Sequence, residues 1–244
     1  MENIFEYDFT IDYASVDLHN YLTDFALLKY LQETACLHAA KLGYGLYDIP
    51  HTHVVWLLLD WKLQVFARPS WKDKIHIRTW PSKTDLASCY RDFEVFDNTG
   101  ERICIATSRW VLFHIENHRI SKLTPEINKV FSPFPQRVFE NEIEKLKEPC
   151  CFDSEINYTI LRRDIDTNKH VNNLNYLRFA YEALPAEIYE NTKFSHIEIM
   201  YKKQCLLGDN IVCLYTKISE KEHIVTIKSK DLSVLHAIIK LKES

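Results

Sequence analysis

Fourteen consecutive residues, "DIDTNKHVNNLNYL" at 164–177, hold two aspartates, four asparagines and a histidine. They run directly into Leu174, Leu177, Tyr181 and Leu184, apolar positions at helical spacing. A dense polar cluster at the mouth of a buried helix admits three readings. Asp164, Asp166 and Asn168 fit the first ligand positions of a calcium loop. Lys169 then stands where that loop needs glycine, and Asn175 where it needs glutamate. Helix capping by Asn172 or Asn173, with Asp166 near the positive helix end, accounts for some of the cluster but not for His170. The third reading is a catalytic site. Free N–H groups at a helix start can bind a developing oxyanion. Histidine exchanges protons near neutral pH. Asp166 can orient His170, and Asn168 can place a carbonyl or a water. Beside an apolar cavity, such parts suit hydrolysis of an acyl ester or thioester.

Two halves of the chain supply elements to position this cluster. A helix is predicted from about residue 22 to 41, with Phe25, Leu28, Leu31, Ala35 and Ala39 on one side and Gly43 as its stop. Strands are predicted in "VVWLLLDWKLQVF", in "DKIHIRTWPS", and on both sides of the turn "DNTGE". The second half begins near Asn157. There "YTILRRDID" is read as a strand entering a turn, "NNLNYLRFAYEALP" as a helix ended by Pro185, and four strands follow. An offset of 149 places Asp17 on Asp166, Leu28 on Leu177 and Glu33 on Glu182, a weak internal repeat. Prolines 125, 133, 135 and 149 and the run "ENEIEKLKE" mark a connection between the halves. The expected fold is therefore α+β, a helix buried against antiparallel strands, twice.

Composition removes other classes. With only four glycines, at 43, 45, 100 and 208, no G-x-G-x-x-G, Walker A or G-x-S-x-G motif can be built. A net charge of -4 gives no global attraction to nucleic acid or to an anionic membrane, and neither is expected as a partner. No apolar run approaches the roughly 20 residues of a membrane span. "MENIFEYDFT" has no basic or apolar leader, so structure is expected from the start. Seven cysteines, an odd number without C-x-x-C, read as reduced thiols in the cytosol. His38, His51 and His53 have no ligand set around them, and no metal or cofactor is expected.

The polar cluster resembles the active-site motif D-x-N-x-H-V-N-N-x-x-Y of the plant-type and bacterial acyl-ACP thioesterases. "LQETACLHA", "TWPS" at 79–82, "YRDFEVFDNTGE" at 90–101, "ATSRWVL" at 106–112 and "RISKLTPEI" at 119–127 are similar to that family's first half, in its order. "YKKQC" resembles its Y-[RK]-[RK]-E-C, and the similarity spans about residues 5 to 240. The resemblance implies two tandem hotdog domains, each a long helix wrapped by an antiparallel sheet. Expected bounds are residues 1–130, a linker at 131–152, and 153–244. It implies hydrolysis of the thioester between a fatty acyl chain and the phosphopantetheine arm of acyl carrier protein; with the cysteine reading, the expectation is a cytoplasmic enzyme without metal or cofactor. Carried over by position, the catalytic set is Asp166, Asn168, His170 and Gln204. The front half, with His19 opposite Asn168 and Tyr21 opposite His170, lacks the motif and is expected to lend its cavity to the acyl chain.

Gln204 departs from the family's glutamate. It cannot act as a base, but it can hold a water. Cys205 is a second candidate nucleophile, with a small buried thiol as the alternative. An acyl-CoA thioesterase and a non-hydrolytic acyl-binding protein therefore stay open beside the leading reading. Arg162, Arg163, Lys202 and Lys203 are the candidate docking residues for an acidic carrier protein, and a homodimer fits the fold.

Overall fold

A computed structural model describes residues 4–243; the extreme ends of the expected domains, residues 1–3 and 244, lie outside them. The chain separates into two compact units. One runs through Leu59 and resumes over Gln64–Glu142; the other holds Asp60–Leu63 and the chain from Ile143 onward.

The first unit contains β1 (Phe5–Thr10), α1 (Asp24–Lys41), the short α2 (Ile49–Thr52), β2 (Val54–Val65) apart from Asp60–Leu63, β3 (Lys74–Thr84), β4 (Ser88–Phe96), β5 (Arg102–His114), β6 (Arg119–Ser121) and α3 (Pro125–Val130). Its strand order is β1-β3-β4-β5-β2, with β6 on β5. The expected helix begins at Asp24 because the Thr23 hydroxyl accepts the Ala26 N–H at 3.2 Å. It stops where Gly43 takes φ +80°, a conformation open to glycine. Leu27, Leu28, Leu31 and Ala35 are buried, and the helix packs on β1 and β3. Ile75 and Ile77 of β3 face inward, as their alternation requires. The predicted turn after β4 is held by Asp97, whose carboxylate accepts the Thr99 and Glu101 N–H groups at 2.8 and 2.9 Å. Strand β1 escaped the sequence reading. It is a sheet edge with Glu6, Tyr7 and Asp8 exposed, and only Phe5 and Phe9 lean inward, onto His38 and Tyr30.

The second unit contains β7 (Ser154–Thr159), α4 (Asn173–Glu182), the short α5 (Ala186–Asn191), β8 (His196–Tyr201), β9 (Asn210–Ser219), β10 (Glu222–Ser229) and β11 (Leu235–Lys242). The order is β8-β11-β10-β9-β7, antiparallel throughout. Leu174, Tyr176, Leu177 and Phe179 are buried as α4 lies on β9, β10 and β11. The helix ends two residues before Leu184. The Ala183 N–H folds back to the carbonyls of Ala180 and Tyr181, and Pro185 forbids another turn.

The proline-rich connection is tied down at both ends. On the first unit, the Phe134 N–H donates to Pro81 O at 2.8 Å and Trp80 Nε1 to Gln136 O at 2.9 Å, while Arg137 pairs with buried Asp92 at 3.2 Å. On the second, Leu146 packs on the Met200–Ile224–Ile238 cluster and Glu148 pairs with Lys228.

One buried pair in the first unit sets a pH response. Arg91 Nη1 lies 2.8 Å from His38 Nδ1, and both residues are buried. A guanidinium only donates, so Nδ1 must carry a lone pair and His38 is neutral. Burial first, then the Arg91 and Lys41 cations, lowers the His38 pKa from 6.5 to about 3. Between those values the unfolded chain holds a proton that the folded chain refuses. This contribution to stability is therefore complete above pH 6.5 and is lost as pH falls toward 3. Denaturant unfolding of the parent should lose stability across this window more steeply than His38→Gln does; equal slopes contradict the assignment.

Candidate active site

The polar cluster folds as a tight turn ahead of α4. Ile165 and Val171 form a bridge, the Asp166 N–H donates to His170 O at 2.9 Å, and Lys169 sits at φ +65° at the tip. The Asp166 carboxylate accepts the Asn168 N–H at 2.8 Å and, more loosely, the His170 N–H at 3.4 Å. It fixes the backbone that presents His170 and makes no hydrogen bond to the imidazole among the described residues. A short carboxylate at the start of a turn reaches the N–H groups ahead of it before any more distant ring. His170 is half-buried and Asn168 exposed.

The "YKKQC" segment is pinned beside this turn. Lys202 N–H donates to His236 O, and the His236 ring donates from Nδ1 to Lys203 O, both at 2.8 Å. The Cys205 N–H donates to the Tyr176 hydroxyl at 3.0 Å. In return the Tyr201 hydroxyl donates to Asn173 O at 3.0 Å, and the Val171 N–H donates to Cys205 O at 3.0 Å. Each motif thus sends one tyrosine to the other's backbone, and the two rings meet edge-on at 5.6 Å. Gln204, exposed, stands between the pinned residues 203 and 205, while His170 immediately precedes the bonded Val171. Sequence reasoning recorded both tyrosines as motif letters and gave them no task.

The helix mouth leaves one donor open. Asn172 is the cap, its Oδ1 accepting the Leu174 N–H at 3.0 Å. The Asn172 N–H goes to Asp164 O and the Asn175 N–H to Asn172 O. The Asn173 N–H has no acceptor among the described residues. The expected oxyanion donors near Asn172–Leu174 thereby narrow to this group. Cys205 is fully buried, and burial pushes its thiol up to about 11, so it is a neutral packing group rather than a nucleophile. Among the described residues no group of three or more His, Cys, Asp or Glu could hold a metal ion.

The first unit repeats the same turn with other side chains. Asp17 accepts the His19 and Tyr21 N–H groups, both at 2.9 Å, and its own N–H donates to Tyr21 O at 2.8 Å. Asn20 takes φ +66°, as Lys169 does at +65°. Leu22 N–H donates to Pro69 O as Val171 donates to Cys205 O. By that match Arg68 occupies the place of Gln204. It pairs with buried Asp24 at 2.6 Å and also donates to Leu22 O. The copy in the first unit is closed by an ion pair where the copy in the second is open.

Comparison with known proteins places the geometry. Family models for the acyl-ACP thioesterase N-terminal domain and C-terminal domain match residues 2–131 and 148–241. The structure of an acyl-ACP thioesterase from Bacteroides thetaiotaomicron overlays with a TM-score of 0.86 at 23% identity, covering 99% of this chain and 98% of that one. The 12:0-ACP thioesterase from Umbellularia californica overlays at 0.88, also at 23% identity, over 99% and 97%. The fold is two hotdog units in tandem. The chain belongs to the acyl-ACP thioesterase family. Among curated relatives, the Arabidopsis thaliana chloroplastic oleoyl-acyl carrier protein thioesterases 2 and 1 are 28% and 29% identical over 91% and 78% of this chain. The matches span 66% and 57% of the length of those two proteins.

The crossed tyrosines give a direct test. Tyr176→Phe keeps the ring and removes the acceptor of a buried N–H. Unfolding free energy should fall by about 1–3 kcal/mol. Tyr47→Phe, at a side chain 92% exposed, is the control and should change little. Equal stability of both variants contradicts the lock.

Proposed function

We propose that this chain hydrolyses the thioester joining a fatty acyl group to the phosphopantetheine arm of acyl carrier protein. The observation that carries the reading is the meeting of two sequence motifs at one helix mouth, where His170, Gln204 and the Asn173 N–H stay uncommitted. In the proposed reaction the Gln204 amide oxygen holds a water. His170 takes its proton as the water oxygen bonds to the thioester carbon. The carbonyl oxygen gains negative charge and accepts the Asn173 N–H. Asn168, on the exposed rim of the turn, steadies the carbonyl or the water. As the C–S bond breaks, the leaving sulfur receives the proton from His170, giving the fatty acid and the carrier thiol. Asp166 serves by holding the turn.

Exposed Arg162, Arg163, Lys202 and Lys203 flank the two motifs and supply a local positive face for an acidic carrier protein, which the net charge of -4 does not. The seven unpaired cysteines support a reducing compartment, read as the cytosol. The curated relatives named above are chloroplastic. No helix among the described residues is long and apolar enough to cross a membrane.

His170→Ala should lower turnover on acyl-ACP by roughly 10²- to 10⁴-fold, with little change in binding. Unchanged turnover in a folded variant removes His170 from the mechanism. Gln204 favours a second reading, a protein that binds acyl-ACP without cleaving it. Under the hydrolytic reading, Gln204→Ala costs roughly 10- to 100-fold in kcat/KM, and Gln204→Glu keeps or raises it. A parent that binds acyl-ACP without turnover, and gains hydrolysis only as Gln204→Glu, establishes the binding protein instead.

A further inference from the structure

The first unit carries a half-open cavity of about 640 Å³ between the segment after α1, the start of β2, the β5–β6 hairpin and α3. That lies within the range of about 300–1,000 Å³ typical of small-molecule sites. Its wall is mixed: Tyr44, Val54, Leu112 and Ile127 are apolar, and Thr52, Ser121 and Thr124 add hydroxyls. Three more polar groups line the same space, each a cation or an unmet hydrogen-bonding nitrogen. His114 has its Nδ1 buried without a hydrogen-bond partner. Arg119 and Lys122, both exposed, have no ion-pair partner among the described residues. The nearby Glu116 carboxylate is taken by His53 at 3.1 Å, and the His53 ring stacks on His114 at 6.4 Å.

A buried nitrogen without a partner asks for one, and two open cations ask for negative charge. The apolar part of the wall asks for a chain. A thioester-bound acyl group is neutral along its whole length and would leave this polar set unanswered. We propose that the cavity is a second binding site of the chain, for a ligand with an anionic head on a flexible tail that carries apolar groups. Arg119 and Lys122 hold the head, and His114 Nδ1 completes its hydrogen bonds. The choice of candidates rests on the proposed hydrolysis, which supplies two ligands of this chemistry: the carboxylate of a released fatty acid and the phosphorylated pantetheine arm.

The test is equilibrium binding to the full chain, with sodium dodecanoate below micelle formation and with phosphopantetheine as separate probes. The parent is compared with Arg119→Gln/Lys122→Gln, which alters only exposed side chains. At least one probe should bind saturably. The double variant should weaken that binding by roughly 10- to 100-fold, the worth of a charge-assisted hydrogen bond. Arg119→Lys, which keeps the charge, should retain most of it. Loss confined to dodecanoate assigns the released acid; loss confined to phosphopantetheine assigns the arm. His170→Ala should bind the sensitive probe like the parent. Binding that persists in a chain without hydrolysis leaves this site standing while the catalytic reading fails. Hydrolysis by a chain that binds neither probe, or binds both equally well after the double substitution, overturns the site alone.

Discussion

The arrangement depends on a reciprocal lock between two segments that are distant in sequence. Tyr176, on the first turn of α4, accepts the N–H of Cys205; Tyr201, at the end of β8, donates to the carbonyl of Asn173. Tyr176, Tyr201 and Cys205 are buried, so each bond spares a backbone group the cost of desolvation without a partner, about 1–3 kcal/mol. The Val171–Cys205 backbone bond closes the triangle. With this triangle in place, the position of Gln204 and the exit of the His170 turn are no longer independent. In the proposed reaction this makes a loop side chain and a helix-mouth side chain one preorganised group, as electrostatic catalysis requires.

The two units show how one scaffold can be open or closed at the same place. Both use an aspartate to fold a turn, a residue at positive φ at its tip, and a capped helix after it. The backbone task is conserved between the halves, and the side chains decide the chemistry. In the first unit Asp24 favours the positive helix end and Arg68 neutralises it in turn, so the helix mouth is already satisfied. Breaking such a buried pair leaves an uncompensated charge, which makes the closure durable. In the second unit Asn173 and Gln204 are uncharged, and the Asn173 N–H has no acceptor among the described residues.

The sequence was most legible where periodicity and punctuation are strong. Helix α1, the strands with alternating or continuous apolar runs, and the turn before Glu101 follow from local rules. The helix-mouth location of the polar cluster was legible too, because dense asparagine beside a helical apolar pattern leaves few alternatives. Roles that depend on long-range partners were not. Nothing local distinguishes an aspartate that holds a ring from one that holds its own turn, as Asp166 does. Tyr176 and Tyr201 look like core residues until the segment each one meets is known. Strand β1 was missed because a half-exposed edge strand has no need of a clean apolar face. The cavity with a basic mouth near Arg119 was hidden for a different reason, since its wall is assembled from residues 44 to 127.

The central claim is that the open helix mouth of the second unit, and not its closed copy in the first, receives the thioester. The most direct measurement is a crystal structure of the chain with a non-hydrolysable acyl-ACP analogue. The account places the carbonyl oxygen of the analogue about 3 Å from the Asn173 N–H, the spacing of an oxyanion donor, with the His170 imidazole and Gln204 amide facing the same carbon. A carbonyl seated at the Asp17–Tyr21 turn, or at neither helix mouth, contradicts it.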